Sequence, residues 1–219
     1  FLDYISTPQI DDKLEDILDG IIKGCEIADM QLLGGETAEH PRQKGYDLAG
    51  FCTGVVEDYN HITGVGIKEG DKIIGLESSG IHCNGYSLIN DMLWRQKIYY
   101  KDMPELLTPT TIYAPVVKEL MEGMPIFGMA HITGGGIPEN LPRCIPDGLK
   151  AHVDYNSWPF PEIFSKIMCA GEIAEEEMKK VFNLGIGFCV IVPPWAEDDV
   201  KMTITPYHEC WTIGEIVVQ

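Results

Sequence analysis

Apolar residues recur along the chain at two periods, and the changes of period mark out its elements. Between Asp11 and Met30, the residues Leu14, Ile17, Leu18, Ile21, Ile22 and Cys25 fall at i, i+3, i+4, i+7, i+8 and i+11. This spacing predicts one amphipathic helix, with Asp11 and Asp12 in a first turn where the helix dipole favours acids. Gln31-Leu32-Leu33 reads as a short apolar strand, followed by Gly34-Gly35 and then by Glu36 to Pro41, a loop without periodicity. Tyr46 to Glu57 alternates and predicts a strand, with Gly50 and Gly54 as points of bulge or close approach. Ile62 to Gly70 carries turn glycines and reads as a linker into a second unit. Short buried strands follow at Lys72–Leu76, Ile126–Ile132, Ala151–Asp154, Gly187–Val192 and Trp211–Val218. Helices are expected over Tyr86–Gln96, Thr110–Glu122, Pro161–Cys169 and Ala174–Val181, and Pro138 suits the first turn of another short one. Strands and helices intermix, which predicts an α/β (α+β, mixed-sheet) protein of two domains with a boundary near residues 60–70.

Composition narrows the function classes. With 16 basic and 34 acidic residues the formal charge is −18, so the chain lacks the basic face that binding a nucleic-acid backbone requires. The same charge disfavours anionic membranes, and no run of about 18 apolar residues exists to span one. The longest candidate, Leu184 to Ala196, is broken by Gly185, Gly187, Pro193 and Pro194, and Phe1-Leu2-Asp3-Tyr4 does not resemble a secretory signal. Seven scattered cysteines without a C-x-x-C pair point to reduced thiols in a cytoplasmic protein rather than to disulfides or structural zinc. A phosphorylated small molecule stays compatible with −18, since backbone N–H groups and a divalent cation can hold it.

Two segments share one physical logic, a strand followed by a glycine-rich turn and a helix start: Ser78–Gly85 and Thr133–Gly136. Glycine lets successive N–H groups turn inward and lets a phosphate approach without a Cβ in the way. Neither segment matches the P-loop or dinucleotide pattern, and either alone also reads as a tight turn. Each has an imidazole nearby, His82 in one and His131 just before the other. Glu36 follows a glycine pair and offers a carboxylate for Mg²⁺, or simply a cap for Thr37 and Ala38; Glu39 has the weaker case. His82-Cys83 lacks a third orienting residue and points apart on a turn, which argues against a thiol nucleophile. His61, His152 and His208 default to surface or packed histidines, and Asn183 to a turn former.

The strings Gly34-Gly35-Glu36-Thr37-Ala38-Glu39, Tyr46-Asp47-Leu48-Ala49-Gly50-Phe51, Ser78-Ser79-Gly80-Ile81-His82-Cys83-Asn84-Gly85-Tyr86-Ser87-Leu88, His131-Ile132-Thr133-Gly134-Gly135-Gly136 and Phe182-Asn183-Leu184-Gly185-Ile186-Gly187 occur in one order. In that order the chain resembles the phosphoribosylformylglycinamidine cyclo-ligase (aminoimidazole ribonucleotide synthetase) family from end to end. The resemblance implies a two-domain fold, with residues 1–60 as the tail of the N-terminal domain and 66–219 as the C-terminal domain. It implies ATP and Mg²⁺, a ribonucleotide substrate, and a homodimer built by N-terminal strands that join into a barrel. The implied reaction activates a formamide oxygen as a phosphate ester before an amidine nitrogen closes the imidazole ring. His82 and His131 become the expected catalytic imidazoles, and Asn84, Gly134, Gly135 and Gly136 the phosphate-binding positions. Glu36 becomes the acidic residue near nucleotide and metal.

Departures from the family pattern are mild at Cys83 (usually Ser), His40 (usually Met) and Phe188 (commonly Met), and Leu93–Leu106 and Pro193–Trp211 read as trimmed surface loops. The family's Thr-Asp-Gly-Val-Gly-Thr-Lys and Asn-Asp-Leu motifs are not in the sequence. The expectation that follows is an N-terminally truncated chain, an incomplete N-terminal domain, and little or no ligase activity on its own. Two other readings compete. One is a different ATP-using relative, such as a thiamine-phosphate kinase or a selenophosphate synthetase, against which the His82-x-Asn84-Gly85 loop argues. The other is a non-catalytic module that keeps the fold.

Overall fold

The structure, a computed structural model, describes residues 1–57 and 61–219, so the end of the expected 1–60 segment lies outside the described residues. The chain divides into two compact units, Phe1–His61 with Ile112–Val117 and Ile62–Thr111 with Lys118–Gln219.

In the first unit, strand β1 (Leu2–Thr7), helix α1 (Lys13–Ile27) and strand β2 (Gly34–Glu39) form a β–α–β crossover. Strand β3 (Asp47–Phe51) completes a three-stranded sheet in the order β2-β1-β3. β1 pairs parallel with β2, Leu2 opposite Gly34 through Thr7 opposite Glu39, and antiparallel with β3. The order expected between residues 31 and 41 is reversed: Gln31-Leu32-Leu33 lies outside any strand, and the segment read as a glycine pair and the start of a loop is β2. The β-pattern was hidden because two glycines open the strand and the polar positions Glu36, Thr37 and Glu39 interrupt alternation. Backbone pairing along β1, rather than side-chain burial, defines it. β3 is also shorter than the alternation from Tyr46 to Glu57 suggested.

α1 lies inside the expected Asp11–Met30 span and is shorter at both ends, and its stripe is only half covered. Cys25 is buried, whereas Ile22 is 42% exposed. Asp11 and Asp12 precede the helix, whose first-turn acids are Glu15 and Asp16. Asp11 accepts a hydrogen bond from the Lys13 N–H at 3.2 Å and one from the Tyr46 hydroxyl.

The second unit is built on a five-stranded sheet, order β5-β7-β4-β8-β6. Its elements are β4 (Lys72–Glu77), α2 (Tyr86–Trp94), α3 (Ala114–Met121), β5 (Gly128–His131), α4 (Gly136–Asn140), β6 (Leu149–Val153), α5 (Glu162–Gly171), α6 (Glu175–Val181), β7 (Ile186–Val192), α7 (Glu197–Ile204) and β8 (Cys210–Val218). Residues Ala114–Val117 of α3 group with the first unit. β4 and β7 are central and covered on both faces, which is why Ile73-Ile74 and Val190-Ile191-Val192 read as continuous apolar runs. One face packs Ile73, Cys189, Ile191, Ile213 and Ile216 with Ile137, Leu141 and Trp158. A second cluster joins α2, α5 and α6 through Ile89, Met92, Phe164, Ile167, Met178 and Phe182. Gly75 in β4 permits this packing, since a Cβ there would stand 2.9 Å from side-chain atoms of both Ile186 and Ile213. The segment read as a trimmed loop, Pro193–Trp211, contains α7, whose buried Val200 and Ile204 are spaced four apart. That helix was missed because its only other apolar residue, Met202, is exposed and falls between those two, so no helical stripe shows.

Candidate functional site

The topology of the second unit brings three turns to one end of its sheet. β4 and β5 both pair antiparallel with β7 and therefore run parallel to each other. The turns that leave β4 and β5 emerge where β7 begins, in register Glu77 opposite Ile186 and His131 opposite Phe188. The turns 78–85, 132–135 and 182–185 thus surround one place.

The first turn is bent by left-handed backbone at Gly80 (φ 146°), His82 (φ 56°) and Gly85 (φ 81°), the residue that caps α2. Glycine is required at 85 twice over, because a Cβ there would also run into the ring of Phe182. The Ser79 N–H donates to His82 Nε2 at 3.2 Å and to Thr111 Oγ1 at 3.2 Å, and the Ser79 hydroxyl donates to the Pro109 carbonyl at 2.6 Å. Cys83 Sγ lies 3.0 Å from Thr110 Oγ1. His82 is buried at 3% exposure while Cys83 is exposed, so the two side chains diverge as expected of neighbours on a turn.

Because His82 Nε2 accepts from a backbone N–H, the hydrogen-bond network assigns its proton to Nδ1. Burial first, and then the nearby His131, push this imidazole down to about 4. His131 ends β5, keeps an exposed edge, and is held below the ordinary histidine range by partial desolvation. Its ring lies 6.2 Å from that of Phe188. Asn84 is half-buried and faces the second turn, its Oδ1 standing 3.6 Å from where a Cβ on Gly134 would lie. His82, Asn84, His131 and Gly134 are therefore brought together.

Within the triple glycine the three residues differ. Gly135 (φ 95°) and Gly136 (φ 60°) are left-handed. Gly136 donates its N–H to the Thr133 carbonyl at 3.0 Å, and a Cβ on it would overlap the Lys179 carbonyl oxygen. Its glycine serves close packing of α4 on α6, and its N–H is committed inside the turn. A Cβ on Gly135 would first meet the side chain of Glu139.

Glu36 belongs to the other unit. It is an exposed residue of β2 in the first unit, opposite Tyr4. The parallel register places Asp3 opposite Gly35, on the other face of that sheet. Among the described residues no group of three or more His, Cys, Asp or Glu side chains could hold a metal ion. The described side chains thus do not enclose a cation by themselves, whereas a Mg²⁺ carried on phosphates needs only one or two carboxylates.

Two buried asparagines complete the site, at 4% exposure for Asn140 and 1% for Asn183. Asn140 Nδ2 donates to the carbonyls of Thr133 (3.2 Å), Gly134 (3.1 Å) and Gly136 (2.8 Å), and its Oδ1 accepts from the Thr133 hydroxyl (3.1 Å). Asn183 Nδ2 donates to the Gly80 carbonyl at 2.8 Å, while its Oδ1 accepts from the Gly185 N–H at 2.9 Å and lies 2.9 Å from the Ser78 hydroxyl. Asn183 forms the expected turn and also ties the first turn to the third. Asn140 carried no signal in the sequence beyond its place four residues after Gly136. His208, read as isolated, lies near Glu77, and burial lowers its pKa while that carboxylate raises it.

Fold and site together define a two-unit α/β protein whose second unit presents glycine turns, buried amides and imidazoles at one end of a mixed sheet. The model of the AIR synthase related protein, C-terminal domain, matches residues 68–219, and that of the N-terminal domain matches residues 1–56. The phosphoribosylformylglycinamidine cyclo-ligase of Prochlorococcus marinus (strain NATL1A) is 44% identical over 99% of this chain and 67% of its own length. Among solved structures, hydrogenase maturation protein HypE in complex with ATP aligns at TM-score 0.66 and 15% identity, over 98% of this chain and 64% of that one. Thermotoga maritima PurL complexed with AMPPCP aligns at TM-score 0.61 and 13% identity, over 99% and 33%. At those identities the structural likeness speaks for the fold alone. The chain belongs to the AIR synthase related family, and its 44%-identical relative places it among the ligases of that family.

Proposed function

We propose that the second unit holds the phosphate-handling end of a cyclo-ligase that converts formylglycinamidine ribonucleotide to aminoimidazole ribonucleotide at the expense of ATP. The observation that carries the reading is the juxtaposition of the His82/Asn84 turn with the His131/Gly134 turn, in a chain 44% identical to a relative of that name. ATP use is further supported by the ATP and AMPPCP complexes of the structural neighbours. In the reaction the γ-phosphoryl group passes to the formamide oxygen, and an amidine nitrogen attacks the activated carbon. A C–N bond forms, the C–O bond to phosphate breaks, and two protons leave nitrogen, one from the formamide and one from the attacking amidine, with ADP and phosphate released.

The residues divide this work by environment. Gly134 and Gly135 offer backbone donors and Asn84 an amide to phosphate oxygens, while Gly136 shapes the turn. His131, neutral near pH 7 and open on one edge, is placed to take the proton. His82 is a positioning residue, since protonating its Nε2 would cost the Ser79 N–H bond that folds the turn. Glu36 would offer one carboxylate to the Mg²⁺ that accompanies ATP, which would neutralise charge on the phosphates. The reading includes a cytoplasmic homodimer, residues 1–60 as the end of an N-terminal domain and 66–219 as a C-terminal domain. No helix among the described residues is long and apolar enough to cross a membrane.

The test joins this chain to the part of the Prochlorococcus relative that has no counterpart in it, and measures aminoimidazole ribonucleotide formation with ATP. The fusion is expected to turn over and the 219 residues alone to turn over little. A folded fusion that consumes ATP without ring closure, or forms the product of a different ATP-using relative, overturns the assignment.

A further inference from the structure

Buried side-chain amides are expensive unless every polar atom is paired, so where their bonds go is informative. Asn140 and Asn183 spend their donors on main-chain carbonyls of the glycine turns. Asn140 has two amide protons facing three carbonyls at 2.8–3.2 Å, so at least one proton is shared. The Thr133 hydroxyl on its Oδ1 fixes which way the amide faces. Gly136 donates to the Thr133 carbonyl as well, so that oxygen takes two donors. Asn183 does the same for the other turn, drawing in the Gly80 carbonyl with the Ser78 hydroxyl beside it. A peptide whose carbonyl is turned toward a buried amide presents its N–H on the other side. An inward carbonyl, by contrast, would repel an anion.

From this we infer that Asn140 and Asn183 are positioning residues for phosphate: Asn140 gathers the Thr133, Gly134 and Gly136 carbonyls of one turn and Asn183 the Gly80 carbonyl of the other, so that the N–H groups on the far side of those peptides face the ligand. The inference rests on the reading of these turns as phosphate-holding, and deepens it by naming what preorganises them. Each amide acts on its own turn, which is the feature a general stabilising role lacks.

The experiment is a titration of the isotope-labelled 219-residue chain with inorganic phosphate, followed through individual backbone amide resonances. In the wild-type chain the amides of Gly134 and Gly135 and those of the 79–84 turn are expected to move with phosphate. Asn140→Leu keeps the branched shape and removes the donors. It should require about tenfold more phosphate at Gly134 and Gly135 while leaving the 79–84 response near wild type. Asn183→Leu should do the reverse. Should either chain fail to fold, Thr133→Val or Ser78→Ala removes the hydroxyl beside the same amide, with a smaller loss expected in the same resonances. Variants that titrate as wild type, or that lower thermal stability while dulling both turns equally, overturn the inference. A wild-type chain whose turn amides ignore phosphate overturns the phosphate reading itself, and so the two failures are told apart.

Discussion

Gly34-Gly35 and Gly134-Gly135-Gly136 read alike, each a glycine run near an acidic residue and flanked by apolar sequence, yet they fold in opposite ways. Gly34 and Gly35 begin a strand whose peptide groups pair with β1. Gly134 to Gly136 turn back on themselves, the Gly134 and Gly136 carbonyls taken up by Asn140, that of Gly135 by the Glu139 N–H, and their last N–H by the Thr133 carbonyl. A glycine run therefore does not by itself specify a turn. What decides is the partner that receives its carbonyls, a neighbouring strand in one case and a buried amide in the other. Both runs also contain one glycine held by close backbone approach, where a Cβ would overlap the Asp3 carbonyl oxygen (Gly35) or that of Lys179 (Gly136).

The largest expected effect breaks the comparison at those two residues. Gly136→Ala combines backbone overlap with a left-handed φ of 60° and should cost roughly 3 kcal/mol or more. Gly35→Ala has the overlap without the positive φ and should cost less, roughly 2 kcal/mol. Hydrogen exchange locates each loss, in α4 and α6 for the first and along β1 and β2 for the second. A Gly35→Ala chain as stable as wild type would mean that the first run is not held by its strand.

A comparable effect tests the buried imidazole of the first turn. His82 is neutral at pH 7 in folded and unfolded chains, so above pH 6.5 its ionisation contributes nothing. Below 6.5 the unfolded chain binds a proton that the folded chain, at about 4, does not, and stability falls with pH between those values. The span amounts to about 3 kcal/mol at most. Urea midpoints measured from pH 7 down to 4 should therefore flatten in His82→Phe relative to wild type. Equal slopes in the two chains would remove His82 as the group responsible. His82→Phe also loses the acceptor for the Ser79 N–H, so its curve should lie lower throughout.

Much of the fold was legible because burial on both sheet faces writes itself as apolar runs, as at Ile73-Ile74 and Val190-Ile191-Val192. β2 was not, since Glu36, Thr37 and Glu39 are held by backbone pairing that leaves no side-chain period. α7 was not, its core being Val200 and Ile204 alone. The juxtaposed turns at His82, Asn84, His131 and Gly134 were legible as motifs, but their meeting depends on β7 running antiparallel between β4 and β5, which no local pattern encodes. Burial separates the two histidines and makes Asn140 a carbonyl partner rather than a surface amide. Nothing in the letters themselves distinguishes a buried Asn from an exposed one.

A smaller effect returns to the first glycine run. Gly34 has φ 139° and nothing within 4 Å of where a Cβ would stand, so Gly34→Ala meets strain without collision. About 1 kcal/mol is expected, measured as a shift in the denaturation midpoint. A loss as large as that of Gly35→Ala would show that backbone conformation, not close approach, sets the cost in this strand.

The smallest expected effect lies at Cys83, between the buried imidazole and the amide that faces Gly134. Its thiol is exposed, and the contact it makes is with Thr110 Oγ1 at 3.0 Å, across to the segment that also receives Ser79. A serine hydroxyl keeps a donor and an acceptor on that side, set back slightly because a C–O bond is shorter than a C–S bond. It changes neither the left-handed φ of His82 nor the bonds of Asn183 that set the turn. Cys83→Ser should therefore alter stability by no more than about 0.5 kcal/mol. It should also leave the phosphate response of the 79–84 amides in place. If that response instead disappears, the side chain at 83 shapes the turn as much as the buried amide does, and the contrast between strand-held and amide-held glycines no longer suffices to explain the first turn.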